Sequence, residues 1–217
     1  MYKKPVIVFE GIEGSGKTFH IGQVIKYFKK NKIKYIKIRE PGGNKKSEKI
    51  RSLILNKKNN FNKDTDLLLY LAARSENIEI LKKNFKKKII LIDRFTDSTL
   101  AYQHFGFGIN KSLIEKINKH LLKGFKIDFT FLNIVDIKNM IKRLKKRKEL
   151  NRYDKFNSNF YKKVQSGFIK IAKKNMRKYH IINSNLDIDY NKKIIIKKIN
   201  RLIKWKLHRT HKQTYMD

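Results

Sequence analysis

The fold of this chain is decided near its amino terminus, by the stretch Gly11-Ile12-Glu13-Gly14-Ser15-Gly16-Lys17-Thr18. It matches G-x-x-x-x-G-K-[ST], the pattern of a loop whose backbone N–H groups surround phosphate oxygens. The β-branched run at 5–10 predicts a buried strand before it, and apolar residues at helical spacing after Lys17 predict a helix. A chance glycine turn is the alternative, but these flanks favour a phosphate-binding loop. Lys17 would then reach the outer phosphates, and the Thr18 hydroxyl would hold Mg²⁺.

The composition limits the classes of protein to which the chain can belong. Its 217 residues suffice for one domain with a hydrophobic core, and the absence of cysteine excludes disulfides and thiolate metal sites. No run of roughly 18 apolar residues occurs, so no membrane-spanning helix is predicted. The first strand begins almost at once, which predicts that there is no signal peptide. The absence of cysteine makes a reducing cytoplasm the expected setting.

The net charge is extreme, because 54 lysines and arginines face only 18 acidic residues, a balance of +36. One interpretation is a protein that binds nucleic acid through phosphate contacts. The other is a compositional bias, since lysine, asparagine and isoleucine crowd nearly every segment, as AT-rich codon usage would produce. The lysines do not gather in one tail or on one face, so we favour the second interpretation. We still expect salt-sensitive, nonspecific binding of nucleic acid.

Strand-like runs alternate with helical ones, which predicts an α/β P-loop NTPase fold with a parallel five-stranded sheet flanked by helices. The strands are expected near 5–10, 34–39, 88–93, 127–133 and 178–183. The helices are expected near 17–31, 45–56, 64–84, 95–104, 110–123, 136–147, 157–176 and 189–206. We therefore predict one domain at 1–206, with a short lid at about 143–155. The tail at 207–217 is either an extension or a frayed terminus.

Charged residues follow the second and third predicted strands, at the edge where open α/β sheets bind ligands. Arg39 precedes a Pro-Gly-Gly turn at 41–43 and is either an anion-binding residue or a solvated arginine beside a plain turn. Asp93 and Arg94 end the third strand. A carboxylate there commonly holds the metal of a P-loop enzyme, and the arginine suits a phosphate. The alternative for this pair is an internal ion pair.

Two helical segments carry side chains that suit recognition of a base or a sugar. Tyr70 and Arg74 are four residues apart and share a helix face, although an aromatic residue at helical spacing is usually part of the core. Thr99 and Gln103 also share a face, with Tyr102 beside them. Taken alone, these three residues are no more than helix surface.

The basic run at 143–152 is usually just a solvated helix end, but the P-loop changes this interpretation. The variable positions of the loop hold no basic residue. Phosphoryl transfer spreads negative charge over equatorial oxygens, which an arginine would stabilise. A closing lid could supply that arginine, and the candidates are Arg147 and Arg152.

Taken in order, these segments resemble the thymidylate kinase family over about residues 5–204. The matching segments are 9–18, 39–43, 50–55, 71–74, 93–95, 97–103 and 147–152. The resemblance implies an enzyme that uses ATP and Mg²⁺ to convert dTMP to dTDP, a step of dTTP biosynthesis for DNA synthesis. An acidic P-loop combined with lid arginines is similar to the bacterial arrangement of the family. The resemblance also implies a homodimer packed through helices.

The resemblance further implies a role for each residue at the phosphate end. Gly11 to Thr18 would bind ATP, with Lys17, Arg94, Glu13 and a lid arginine as the catalytic residues. The metal ligands would come from Thr18, Asp93 and Glu13. Glu13 would also contact the side of the deoxyribose that bears the 3′ hydroxyl.

At the substrate end, the resemblance implies that Arg39 and Arg94 bind the dTMP phosphate. Tyr70 would stack on thymine, and Tyr102 would crowd the 2′ position and disfavour ribose. The thymine edge would be contacted by Arg74, Thr99 and Gln103.

Three features depart from the family pattern. Phe107 stands where many relatives have arginine, so one cation on the substrate side is missing. Lys148 replaces a lid residue that is often glycine, which would stiffen the lid. The tail from Trp205 onward has no counterpart that we can match.

A purely structural relative without activity is one alternative, against which the intact Lys17, Thr18, Asp93 and Arg94 argue. Two other functions also stay open from the sequence. One is a kinase for a different nucleotide or nucleoside, against which Tyr70, Arg74 and Gln103 argue. The other is a nucleic-acid-binding protein that has kept a P-loop and lost catalysis, which only the charge supports.

Overall fold

The computed structural model describes the backbone of residues 4–213 and the side chains of residues 4–205. Its centre is one parallel sheet with the strand order β2-β3-β1-β4-β5. The strands are β1 Val6–Glu10, β2 Tyr35–Arg39, β3 Ile89–Asp93, β4 Phe129–Ile134 and β5 Tyr179–Asn183. The predicted five-stranded parallel sheet is thus confirmed, and each strand lies within two residues of its predicted position.

Helices flank this sheet. They are α1 Lys17–Lys30, α2 Lys45–Leu55, α3 Lys63–Asn84, α4 Thr96–Thr99, α5 Lys111–Leu122, α6 Ile137–Lys145, α7 Ser158–Lys173 and α8 Ile188–Gln213. A π-helical turn, Leu100–Gly106, continues α4, and short 3-10 turns span Arg152–Lys155 and Met176–Lys178. None of the described helices is long and apolar enough to cross a membrane.

The helix predictions fail in two places. The helix expected at 95–104 divides into α4 and the wider π-helical turn. The last helix does not end near 206 but runs to Gln213, because residues 207–213 contain no glycine or proline that would stop it. The part of the predicted tail at 214–217 lies outside the described residues.

The sheet is buried on both faces, as a parallel sheet with crossover helices must be. Side chains alternate along β1, so that Ile7 and Phe9 pack under α1 and α8, whereas Val6 and Val8 pack on the face that α3 covers. Each face of the central strand therefore contributes to its own hydrophobic cluster.

This strand order directs the functional loops to one edge. Strand β1 lies between β3 and β4, and Phe9 is level with Asp93 in the register. Arg39 of β2 is also level with Asp93. The P-loop and the ends of β2 and β3 therefore leave the sheet side by side at its carboxyl edge, where ligands of such sheets bind.

Candidate active site

A cavity of about 400 Å³ opens at this carboxyl edge. This volume lies in the range of small-molecule sites. Its walls come from the P-loop, the ends of β2 and β3, α3, the π-helical turn and the lid. The predicted site residues that line it are Glu13, Gly14, Ser15, Gly16, Lys17, Thr18, Arg39, Tyr70, Arg74, Asp93, Arg94, Thr99, Tyr102, Gln103 and Arg147. Gly11, Ile12 and Arg152 are not among the lining residues.

The P-loop can take its shape only with glycine at its first position. Gly11 has φ 137, and a Cβ there would collide with the backbone carbonyl of Asn133. Lys17 closes the loop, because its Nζ donates to the carbonyls of Gly11 at 2.8 Å and Ile12 at 2.7 Å. Ile12 turns its side chain into the core, fully buried. Gly11 and Ile12 therefore act in this loop through their backbone.

The ammonium group of Lys17 lies in an environment that disfavours its charge. Burial, and secondly the positive charge of Arg94, lower the pKa of Lys17 to about 7. The nearby carboxylates of Asp93 and Glu13 oppose this shift. An anion that arrives beside the loop would raise the pKa again, so the charge of Lys17 depends on whether phosphate is bound.

Arg94 points back across the P-loop because its backbone is left-handed, with φ 66. A non-glycine residue in this region is uncommon and marks functional sites. Its Nη1 donates to the Gly11 carbonyl at 2.9 Å, and its Nη2 pairs with Glu13 Oε1 at 2.8 Å. The guanidinium carbon of Arg94 also lies 5.3 Å from the centroid of the Tyr102 ring. The predicted alternative, an internal pair with Asp93, is replaced by the pair with Glu13.

Glu13 is held at both carboxylate oxygens. Oε1 accepts a hydrogen bond from Arg94 Nη2, and Oε2 accepts a short hydrogen bond from the Tyr102 hydroxyl. Burial, together with Glu13, raises the pKa of Tyr102 well above its usual value, so the phenol stays protonated as a donor. A residue of the phosphate loop is thus joined directly to Arg94, which follows β3, and to Tyr102 of the π-helical turn.

Hard oxygen donors for Mg²⁺ are present beside the P-loop. Thr18 and Asp93 both line the cavity, with a hydroxyl and a carboxylate that suit this ion. Glu13 fits less well, since both its oxygens already have partners. The described residues contain no cluster of three acidic, histidine or cysteine side chains that could hold a metal alone. This donor set fits an ion that takes further ligands from phosphate and water.

Glu10 is a residue that the sequence reasoning missed. It ends β1, and its carboxylate accepts from the backbone N–H of Phe95 at 2.7 Å and the hydroxyl of Ser98 at 2.6 Å. Burial, and then Asp97, raise the pKa of Glu10 to about 7. Glu10 ties β1 to the turn that presents Arg94. The signal for it was a carboxylate in an otherwise apolar strand.

Two buried polar side chains in the cavity wall each carry an atom that has no hydrogen-bond partner among the described residues. Thr99 and Gln103 are only 2% and 1% exposed, so the interpretation of plain helix surface is wrong. Among the described residues, no hydrogen-bond partner exists for Thr99 Oγ1 or Gln103 Nε2. Buried polar atoms are nearly always paired, and both residues line the cavity. These two atoms are therefore placed to bind a polar ligand.

Arg74 is fixed more firmly than the sequence indicated. It is 2% exposed, its Nε pairs with Glu40 Oε2 at 2.7 Å, and its Nη1 donates to Asn118 at 2.7 Å. Much of its hydrogen-bonding capacity is thus used inside the protein, although it still lines the cavity. Glu40 and Asn118 were both missed. Glu40 directly follows Arg39, and that position was its only signal.

The wall of the cavity beside Thr99 and Gln103 is aromatic. The ring of Tyr153, from the lid, packs edge-on against Tyr70 and Tyr102, with centroids 5.9 and 5.8 Å apart. Tyr153 was not predicted. Phe107, which departs from the family pattern, packs against Phe156 and Phe160 at 5.4 and 4.9 Å between centroids. In place of that arginine, Phe107 joins the end of the π-helical turn to α7 and to the residue that follows the lid turn.

At the mouth of the cavity, Arg39 is half-exposed and pairs with Glu48 at 2.8 Å. Arg51, another lining residue, donates to the Pro41 carbonyl at 2.7 Å. Arg51 was not predicted, although it lies in the matching segment 50–55. Together with Arg94, these cations favour an anionic ligand.

The lid separates the two predicted arginines. Arg147 lines the cavity and pairs with Asp154 at 2.7 Å, whereas Arg152 is bound to the carboxylate of Asp66 on α3. Arg152 is not among the lining residues, and its guanidinium is held by Asp66. Arg143 was not singled out, yet its Nη1 donates to the Gly14 carbonyl of the P-loop at 2.9 Å and it lines the cavity.

Comparison with known proteins gives a consistent result. The family model described as thymidylate kinase matches residues 9–195. The chain is 37% identical to the thymidylate kinase of Thermosipho melanesiensis, over 91% of this chain and 96% of that protein. It is also 37% identical to that of Clostridium novyi, over 87% and 95%. The crystal structure of thymidylate kinase from Ehrlichia chaffeensis is similar, with a TM-score of 0.73, 33% identity and coverage of 91% and 99%.

Proposed function

Since this chain belongs to the thymidylate kinase family, we propose that its cavity binds dTMP and ATP with their phosphates facing each other beside the P-loop. The enzyme phosphorylates dTMP to dTDP, a step of dTTP biosynthesis, with ATP as the proposed donor. One observation supports our assignment of a phosphate end and a base end to this cavity. A phosphate loop and a pair of buried, unpartnered polar groups, Thr99 and Gln103, line the same cavity.

At the phosphate end, the acceptor needs no general base. A phosphate monoester has a second pKa of about 6, so it is mostly dianionic at neutral pH. The barrier is the repulsion between two anions, and the cations Lys17, Arg94 and Arg147 line the cavity where they would offset it. The γ-phosphorus would form a bond to a dTMP phosphate oxygen as its bond to the ADP oxygen breaks. The preorganised guanidinium of Arg94 supports a role on the dTMP phosphate.

We propose that Thr18 and Asp93 hold the magnesium ion. When bound, Mg²⁺ would neutralise the charge of the phosphate oxygens. Glu13 is better used as the acceptor that orients Arg94 and Tyr102, because both its oxygens are engaged. Arg39 completes the cationic mouth from the end of β2.

At the other end, we propose that Thr99 and Gln103 bind the edge of thymine. Tyr70 supplies a ring for stacking in the same wall, and Arg74 supports the pocket through its pair with Glu40. The Tyr102 hydroxyl is fixed by Glu13, which makes it a rigid obstacle near the sugar. A rigid side chain excludes an added hydroxyl more effectively than a mobile one does, so deoxyribose is favoured.

Acceptor specificity tests this function. In an ADP-release assay with ATP and Mg²⁺, we expect dTMP to be the best acceptor among dTMP, dUMP, UMP, CMP and thymidine. Because dUMP lacks one methyl group, its kcat/KM should be lower by roughly 10-fold or more. A missing carbon in an apolar pocket typically costs at least this factor. Thymidine should fail, since it lacks the phosphate that Arg94 binds. A better acceptor in this panel would assign the chain to another substrate.

We also propose a homodimer that packs through α2 and α3. Leu53 on α2 and Leu68 on α3 are 47% and 61% exposed, and the two helices pack on each other. Exposed large apolar residues on neighbouring helices favour burial against a second copy. Light scattering should give twice the chain mass of 26.0 kDa, and Leu68→Lys should shift it to the single mass. A wild-type monomer at every concentration would contradict the proposal.

We also propose that the protein acts in the cytoplasm.

A further inference from the structure

A second groove runs between α1 and α8 and shares no described lining residue with the substrate cavity. Of its eleven described lining residues, seven are lysine or arginine and none is acidic. Six of the seven are exposed: Lys26, Lys30, Lys193, Lys197, Arg201 and Lys204. The seventh, Lys192, is 3.6 Å from Asp189. Cations that look scattered along the chain therefore meet across two helices.

This density exceeds the general bias of the chain. Lysine and arginine make up 54 of its 217 residues, against seven of eleven in the groove. Helix α1 contains no acidic residue, whereas α3 places Asp64, Asp66, Glu76 and Glu79 among its lysines. A concave surface with a single sign of charge concentrates counter-ions more strongly than the same charges spread over a convex surface. Outside the substrate cavity, the groove is therefore a candidate polyanion site on the described surface.

The cations are arranged as a row. Lys193, Lys197 and Arg201 follow each other at intervals of four residues, so they lie on one face of α8, about 6 Å apart along its axis. Trp205 is the next residue in this series and is 49% exposed. Proteins that bind single-stranded nucleic acid combine a basic groove with aromatic rings on which bases stack, and the partly exposed ring of Trp205 follows the basic row along α8.

We propose that this groove binds the sugar–phosphate backbone of single-stranded nucleic acid, with a base stacked on Trp205. The lysines contact phosphates and carry no sequence information, so binding is independent of sequence. Tyr27 and Asn200, which hydrogen-bond to each other at 2.9 Å, form the floor between the two basic helix faces. Deoxyribose and ribose strands share this chemistry.

Fluorescence gives a direct test, because Trp205 is the only tryptophan in the chain. The probe is an oligodeoxyadenylate of about 16 nucleotides without a terminal phosphate, near the upper end of single-strand site sizes. We expect it to quench the tryptophan, with no displacement by saturating dTMP. Inorganic polyphosphate should compete for the groove without quenching, since it has no base. The proposal is overturned if the oligonucleotide leaves the fluorescence unchanged at low salt.

Matched triple variants locate the site. Lys26→Gln, Lys193→Gln and Lys197→Gln together should weaken binding roughly ten- to hundredfold and flatten the plot of log affinity against log salt by about 2, since each single-strand phosphate contact contributes about 0.7. The control combines Lys116→Gln, Lys119→Gln and Lys126→Gln, three exposed lysines on α5 and in the segment that follows it. This control removes the same charge and should change binding little.

Both triple variants should retain dTMP turnover, which verifies folding and separates this proposal from the proposed function. Trp205→Ala should weaken binding of a labelled oligonucleotide about tenfold with the salt dependence unchanged. Equal losses in the two triple variants would mean that net charge, and not the groove, attracts the strand. Anionic vesicles that displace the oligonucleotide and bind more tightly would assign the groove to a membrane surface. Either result overturns the proposal.

Discussion

Replacing Lys17 with alanine should lower kcat by about a thousandfold and leave dTMP binding nearly unchanged. The ammonium group lies between two P-loop carbonyls, where a triphosphate would draw it to the outer phosphates, so its charge acts on the transferring group. Loss of one such preorganised donor costs roughly 10²- to 10³-fold. Steady-state kinetics and calorimetric titration of dTMP measure the two effects separately.

The control for this variant is Lys29→Ala, an exposed lysine in the last turn of the same helix, which should retain full turnover. The pH dependence adds a second check. Because burial lowers the pKa of Lys17 to about 7 in the free enzyme, kcat/KM for ATP should fall as the pH rises above 7. Bound phosphates restore the charge, so kcat should stay level over the same range. Near-normal turnover of the Lys17 variant would refute its assignment.

The two lid arginines should give different kinetic defects. Arg147→Ala should lower kcat by about a thousandfold, the lower end of the effect of an arginine that stabilises a transferring phosphoryl group. Arg147 lines the cavity and is oriented by Asp154, which also accepts from the backbone N–H and the side chain of Asn151. The KM for dTMP should change little, because this contact matters mainly in the transition state. Initial-rate kinetics with both substrates varied measures this.

Arg152→Ala is the matched variant and should act through the lid instead. Its guanidinium binds Asp66 on α3, and the Tyr153 hydroxyl donates to the same carboxylate at 3.1 Å. Loss of this anchor should raise the KM for dTMP more than it lowers kcat. Asp66→Asn should resemble it, and the double variant should be little worse than either single one, since the two residues form one interaction. A larger kcat loss for Arg152→Ala than for Arg147→Ala would reverse the assignment.

Much of the fold was predictable from local patterns. The P-loop lies between a β-branched run and a helical run, and five such alternations define the parallel sheet that the structure contains. The π-helical turn was not predictable, because a widened turn of only seven residues is too short to give a periodicity that differs from that of an α-helix. The last helix was predicted too short, since a basic segment without proline or glycine continues a helix as readily as it frays.

The position of a site residue was predictable where the residue lies at the carboxyl end of a strand. It was not predictable where a contact with a residue distant in the sequence determines the position. Asp93 and Arg94 follow a strand, so their place was clear. The choice between Arg147 and Arg152 depends on Asp66, which lies 86 residues from Arg152. The same holds for Arg74, whose pairing with Glu40 spans 34 residues. Burial of Thr99 and Gln103 depends on the packing of α7 against the π-helical turn, which no local pattern contains.

Glu13 has a consequence for how the two substrates influence each other. Its carboxylate belongs to the P-loop, which we propose holds the donor, yet it fixes Arg94 and Tyr102, which we propose face the acceptor. A movement of the P-loop on nucleotide binding would thereby reach the proposed acceptor pocket. Thermodynamic linkage then requires that each substrate changes the affinity for the other by the same factor. With such coupling, the two substrates bind cooperatively. The order in which they bind then affects the rate of binding but not the total binding free energy.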